Sequence, residues 1–157
     1  MQEHDDEPIY FQSKAWPEHR YLSNFHIAPI VHNGIVYQTT EHFYQAHKAI
    51  SQKEFDEIAN ASEPREAKRL GGLVRVEPEV WNAKRDKVML QALRVKFTQH
   101  DYLAEKLLST GNTQLIEWAP WGDTYWGVDK NYVGQNKLGK LLMKVREELR
   151  VQYENIA

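Results

Sequence analysis

The nine residues Thr40-Glu41-His42-Phe43-Tyr44-Gln45-Ala46-His47-Lys48 place an acid, an amide and an amine in one short stretch. On a helix, Glu41, Gln45 and Lys48 stand at i, i+4 and i+7 and share a face. Glu41 and Lys48 are then two turns apart, about 10.5 Å of rise. That is too far for a helical ion pair, and it suits two groups that address opposite ends of one ligand. The same spacing also describes a plain solvent-exposed amphipathic face.

Two further stretches carry chemistry-bearing side chains. Leu22-Ser23-Asn24-Phe25 sets two polar groups beside an aromatic ring, which reads either as a recognition element or as a turn with a core phenylalanine. The run from Trp118 to Asp129 (WAPWGDTYWGVD) and Gly134-Gln135-Asn136-Lys137-Leu138-Gly139 combines aromatics, acids and glycines ahead of a helix. Glycine lets backbone approach a ligand, helix N-terminal amides favour phosphate, and indole faces stack on bases. The bland alternative is an aromatic mini-core under a long loop.

Other chemistries are excluded. The 157-residue chain has no cysteine, hence no disulfide framework, thiolate nucleophile or Cys-ligated zinc. His42 and His47 are five apart, HExxH is absent, and seven scattered histidines show no metal-ligand spacing, so no metal is expected. Walker, GxGxxG and GxSxG patterns are also missing. A net charge of −2 argues against a protein held on nucleic acid mainly by bulk charge. Residues 64–100 nevertheless carry nine bases against four acids, a patch fit for a phosphorylated small molecule or simply the solvated faces of two helices. No run reaches the roughly 20 apolar residues of a membrane span, and the acidic start MQEHDDEPIY is no targeting signal. A cytoplasmic protein without membrane association is expected.

Periodicity and caps supply the elements that must position these groups. Residues 1–8 are expected to be a disordered tail and 9–157 a single domain. Ile9-Tyr10-Phe11 begins a strand, and residues 26–38 form a hairpin around Asn33-Gly34, which tolerate the positive φ of a type I′ turn. Thr39 or Thr40 caps a helix from Glu41, and the capping box Ser51-Gln52-Lys53-Glu54 opens a second. Ser62 caps a third, with Pro64 in its first turn and Gly71-Gly72 at its end. Residues 79–98 give the longest helix, with Val88, Met89, Ala92, Leu93 and Phe97 on one stripe. Asp101 caps a short helix stopped by Gly111, residues 113–135 read as strand plus loop, and a last helix covers 137–151. The class is mainly α (α+β), a compact helical domain with a small antiparallel β part.

In order and spacing, these segments resemble the YbiA-like, or NADAR (NAD- and ADP-ribose-associated), N-glycosidase family. The resemblance runs from Leu22 to Arg150. It rests on Leu22-Ser23-Asn24-Phe25, the hairpin Pro29–Tyr37, Thr40–Lys48, Trp81 with Met89 and Lys96-Phe97, Leu107–Gly111, Asp123-Thr124-Tyr125-Trp126-Gly127, and Gly134–Met143. The chain departs from the family at Val128-Asp129-Lys130 and at the extra aromatic Trp121, both near the expected base pocket.

The resemblance implies a metal-free hydrolase without cofactor. It would cleave the C1′–N bond between a ribose phosphate and a nitrogen heterocycle. The substrate would be a phosphoribosylamino-pyrimidine of the riboflavin pathway or ADP-ribosyl-guanine, including ADP-ribosylated DNA. Glu41 would stabilise charge on C1′ or activate water, with Asp123 assisting. Lys48 would be either an amine nucleophile or a phosphate or leaving-group partner. Trp81 and Trp126 would wall the heterocycle. Ser23, Asn24, Phe25, Gln45, Gly127 and Asn136 would line the substrate, and Arg69 is a candidate phosphate clamp. Two rivals stand beside this reading: a non-catalytic ADP-ribose- or NAD-binding module, and a small helical interaction protein.

Overall fold

The computed structural model describes residues 7–156. The expected tail lies outside the described residues over 1–6, while Glu7 and Pro8 lead without regular structure into the first strand. About 53% of the described residues are helical, and the sheets have two strands each, as the mainly α reading requires. The described chain divides into two compact units. One is the continuous segment Asn24–Gln99, and the other joins the residues up to Ser23 to those from His100 onward.

The Asn24–Gln99 unit starts with a hairpin, β2 (Ile30–His32) and β3 (Ile35–Tyr37), β1 being Ile9–Phe11 of the other unit. Ile30 pairs with Tyr37 and His32 with Ile35. Asn33 (φ 52°) and Gly34 (φ 78°) make the expected left-handed pair. Four helices follow: α1 (Thr40–Ala46), α2 (Gln52–Ala59), α3 (Pro64–Gly71) and α4 (Pro78–Gln99). Ser51 caps α2 by accepting the Glu54 amide at 3.2 Å, as the capping box predicts. The cap of α3 is Glu63 rather than Ser62. Pro64 disfavours helical backbone at the residue before it, so residue 63 stays extended and the boundary falls one place later. α1 packs on α2, α3 and α4. Its Phe43 and Ala46 join Ile30, Tyr37, Ile58, Ala59, Ala67 and Ala92 in one core, where four alanines let the helices close tightly.

In the other unit, β1 pairs in parallel with β4 (Leu115–Glu117), Ile9 opposite Leu115. A 3-10 turn spans Pro17–Leu22, and two helices complete the unit, α5 (Asp101–Ser109) and α6 (Lys137–Ile156). The cap of α5 is His100, and Asp101 lies inside the first turn, where its carboxylate still suits the helix dipole. α6 packs on α5 and β4 through a face that includes Leu138, Leu142, Val145 and Leu149. It runs past the expected end at 151 because its last turn, though exposed, contains no helix breaker. Tyr21 donates to the Lys106 carbonyl at 3.1 Å, and burial pushes its phenol up to about 12.

Two histidines of α1 and its C-cap are held neutral. His42 lies between Thr39 Oγ1 (2.7 Å from Nδ1) and the Ala61 carbonyl (3.0 Å from Nε2). A carbonyl only accepts, so Nε2 carries the proton and Nδ1 accepts from Thr39. His47 donates from Nδ1 to the Phe43 carbonyl at 2.6 Å. Burial holds both imidazoles below the ordinary histidine value. The unfolded chain therefore takes up these protons first as pH falls. The stability these groups contribute is fully present above about pH 6.5 and is lost as pH drops toward their folded values. The melting temperature is expected to decline between pH 7 and pH 5. His42→Gln, whose amide still donates to Ala61 but takes no proton, should decline less steeply; equal slopes in the two proteins contradict the assignment.

Candidate active site

α1 is a seven-residue helix with every residue buried, so each of its polar side chains needs a partner inside the protein. Thr39 caps it, accepting the His42 amide at 3.1 Å. Asn24 anchors its start: Thr40 donates to Asn24 Oδ1 at 2.7 Å, the Glu41 amide donates to the Asn24 carbonyl at 3.2 Å, and Asn24 Nδ2 faces Met89 Sδ at 3.5 Å. Asn24 thus fixes the backbone that carries Glu41.

Glu41 is 7% exposed, and its Oε2 accepts from Gln45 Nε2 at 2.6 Å. The i, i+4 relation expected from sequence is realised as this hydrogen bond. A charge-assisted bond of this kind favours the ionised carboxylate against the cost of burial. Gln45 Oε1 is itself buried and has no hydrogen-bond partner among the described residues.

Lys48 departs from the sequence expectation. The helix ends at Ala46, so Lys48 lies in the turn beyond it, with its amide on the Gln45 carbonyl at 3.1 Å. The exposed amphipathic face is likewise absent: α1 is buried and Lys48 is half-buried. Burial lowers the Lys48 pKa, Glu41 opposes that shift, and Lys68 and Arg85 reinforce it. The amine is thus available more readily than that of an ordinary lysine.

Aromatic rings and cations surround this group. Lys48 Nζ lies 5.6 Å from the Tyr44 ring centroid, and Tyr44 packs on Trp81 with centroids 5.2 Å apart. Lys84 Nζ stands 5.8 Å from the Trp81 ring and Lys68 Nζ 5.8 Å from the Phe25 ring. These separations are at cation–π range. Tyr44, Lys68 and Arg85 were not among the candidates, although the basic excess over 64–100 was the signal that pointed to the last two. Arg69 stands apart: it is exposed, and its guanidinium forks onto Glu66 of the same helix at 2.9 and 2.6 Å.

Ser23, Asp123, Trp126, Gly127 and Asn136 belong to the other unit. Ser23 is buried and closes the 3-10 turn through its amide to the Arg20 carbonyl at 2.9 Å. Asp123 Oδ1 accepts the amides of Tyr125 (3.1 Å) and Trp126 (2.9 Å), an Asx turn that presents the half-buried Trp126. Asn136 is 6% exposed; its Oδ1 accepts the Glu117 amide at 3.0 Å and its Nδ2 donates to the Leu115 carbonyl at 2.9 Å.

Two features of this loop have roles within the protein itself. The amides of Asn136, Lys137 and Leu138, read as a phosphate seat, donate to the carbonyls of Gly127, Tyr125 and Trp126 at 3.0–3.2 Å. Gly127 serves close approach to the chain itself, since a Cβ there would lie 2.5 Å from the Glu117 carbonyl oxygen. Among the described residues, no group of three or more His, Asp or Glu side chains could hold a metal ion. Among the described residues, no helix is long and apolar enough to cross a membrane.

Known proteins share this arrangement of sequence and fold. A family model for the NADAR domain matches residues 10–150. The chain is 40% identical over 133 residues to N-glycosidase YbiA of Shigella flexneri serotype 5b, covering 83% of this chain and 82% of that protein. It is 35% identical over 145 residues to the riboflavin biosynthesis protein VVA0006 of Vibrio vulnificus, covering 92% of this chain and 39% of that longer protein. The solved structure of E. coli YbiA superposes with a TM-score of 0.84 at 36% identity, covering 94% of this chain and 88% of that one.

Asp123→Asn separates turn capping from charge, because an asparagine Oδ1 still accepts both amides. Retained melting temperature with turnover reduced at least ~10-fold, below the usual range for a lost acid–base group, is the expected result. Unchanged turnover confines Asp123 to the turn.

Proposed function

The chain belongs to the NADAR domain family, and from that premise we propose that it is an N-glycosidase cleaving the C1′–N bond between a ribose phosphate and a nitrogen heterocycle. The observation that carries the reading is the buried Glu41–Gln45 bond of 2.6 Å beside Lys48, whose pKa burial depresses. A buried carboxylate on α1 and a partly desolvated amine just past its end are what glycosyl transfer to a lysine requires.

The neutral Lys48 amine forms a bond to C1′ as the C1′–N pair leaves with the heterocycle. The amine passes one proton through Glu41 to the departing nitrogen, and Glu41 is ionised again when the heterocycle leaves. Opening of the sugar ring leaves a Schiff base, which water hydrolyses to the free sugar phosphate and the amine. In its ionised form, Glu41 stabilises positive charge on C1′ and the ring oxygen. Gln45 Oε1, a buried acceptor, suits a ribose hydroxyl. Tyr44 and Trp81 suit the heterocycle face, and Lys68 and Arg85 suit the phosphate better than Arg69, whose fork is occupied by Glu66.

Within this class the favoured substrate is a phosphoribosylamino-pyrimidine. The net charge of −2 suits a small metabolite better than a DNA strand, and one relative carries riboflavin biosynthesis in its name. The experiment supplies a phosphoribosylamino-pyrimidine and ADP-ribosylated guanine separately and follows release of the heterocycle. Release from the pyrimidine is expected. Binding of ADP-ribose with no release from either substrate would instead make the chain a binding module.

Two variants test the roles. Glu41→Gln should fold and lose at least ~100-fold in turnover; near-normal turnover removes Glu41 from the reaction. Borohydride added during turnover should attach the sugar to Lys48, read by peptide mass spectrometry, and absence of an adduct in actively turning-over enzyme rejects the Schiff-base route.

A further inference from the structure

We propose that Gly71, at the end of α3, is a positioning residue for the reaction: its missing side chain makes the space in which the Gln45 amide holds Glu41. The proposal rests on the reading of Glu41 given above.

An ideal Cβ at Gly71 would lie 1.9 Å from Gln45 Oε1, 2.7 Å from its Cδ and 3.0 Å from its Cβ. Outside its own stretch of α3, the three nearest atoms all belong to the Gln45 side chain. Gly71 is not among the positive-φ glycines, so its helical backbone accepts alanine without strain. Gly71 is the last residue of α3, and its φ is not positive, so the left-handed helix-end conformation that glycine favours does not account for it. Contact with Gln45 supplies the reason. With an alanine there, the amide must move, because it is the flexible end of the clash. Gln45 is only 5% exposed, so it has little room to swing without leaving Glu41 Oε2.

The consequence is specific to one hydrogen bond. Donation from Gln45 favours the ionised form of Glu41, and losing it raises the pH at which Glu41 takes up a proton. Charged groups coupled to this cluster include Lys48, Lys68 of α3 and Arg85 of α4, and none of these three is replaced by alanine at 71.

The test measures kcat/KM against pH for wild type, Gly71→Ala, Gln45→Ala and the double variant, with Glu41→Gln as reference. Gly71→Ala should keep its helical circular dichroism, lose at least ~10-fold in kcat/KM and shift the acidic limb of the profile upward. Gln45→Ala should shift the same limb. Because both variants act through one amide, adding Gly71→Ala to Gln45→Ala should change the rate less than ~2-fold. A wild-type rate and profile in Gly71→Ala overturns the proposal, as does a full additional loss in the double variant. If Gly71→Ala alone does not fold, the comparison of Gln45→Ala with the double variant, which lacks the Gln45 amide that the new methyl would strike, decides in the same way. An active Glu41→Gln would instead overturn the underlying assignment of Glu41.

Discussion

A carboxylate that is 7% exposed is costly to keep ionised, and the Asn24–Gln99 unit is organised around that cost. The short, wholly buried α1 fixes Glu41 on a rigid backbone, and Gln45 one turn later returns an amide to it. Lys48 sits just past the helix end, where burial and neighbouring cations work against its protonation while Glu41 favours it. The carboxylate therefore limits how far the amine's pKa falls, and the surrounding cations limit how far it recovers.

The scaffold follows from this demand. A polar helix can be buried only if its side chains find partners, and Thr39, Asn24 and the Ala61 carbonyl provide them. The alanine-rich contacts of α1 with its neighbours bring α3 and α4 close enough to set Lys68, Trp81 and Arg85 around it. In the other unit, the loop before α6 is held by its own backbone. Asp123 forms the turn under Trp126, Asn136 bridges to β4, and the first amides of α6 are occupied by loop carbonyls. A loop so pinned presents its indole with little conformational freedom to lose.

Much of this was legible in the residues. The Asn33-Gly34 turn, the capping box at Ser51 and the apolar stripe of α4 are local signals, and the structure follows them. The i, i+4 relation of Glu41 and Gln45 was equally local. What escaped were effects of tertiary context. The parallel pairing of β1 with β4 joins segments about a hundred residues apart, beyond the reach of periodicity. The end of α1 at Ala46 carries no glycine or proline to announce it. Pro64 shifted a cap by one residue through a steric rule that was available but outweighed by the preference for serine. In the loop before α6, aromatics and glycines suggested a ligand seat, whereas glycine there admits the protein's own backbone, a distinction composition does not carry.

The central claim is that C1′ of the substrate is met by Glu41 and Lys48 together. A crystal structure of Glu41→Gln with intact phosphoribosylamino-pyrimidine tests it directly. C1′ is expected within about 3–3.5 Å of Lys48 Nζ, the separation of a near-attack geometry, with the side chain at position 41 beside the glycosidic bond. A substrate bound with C1′ remote from both side chains would contradict it.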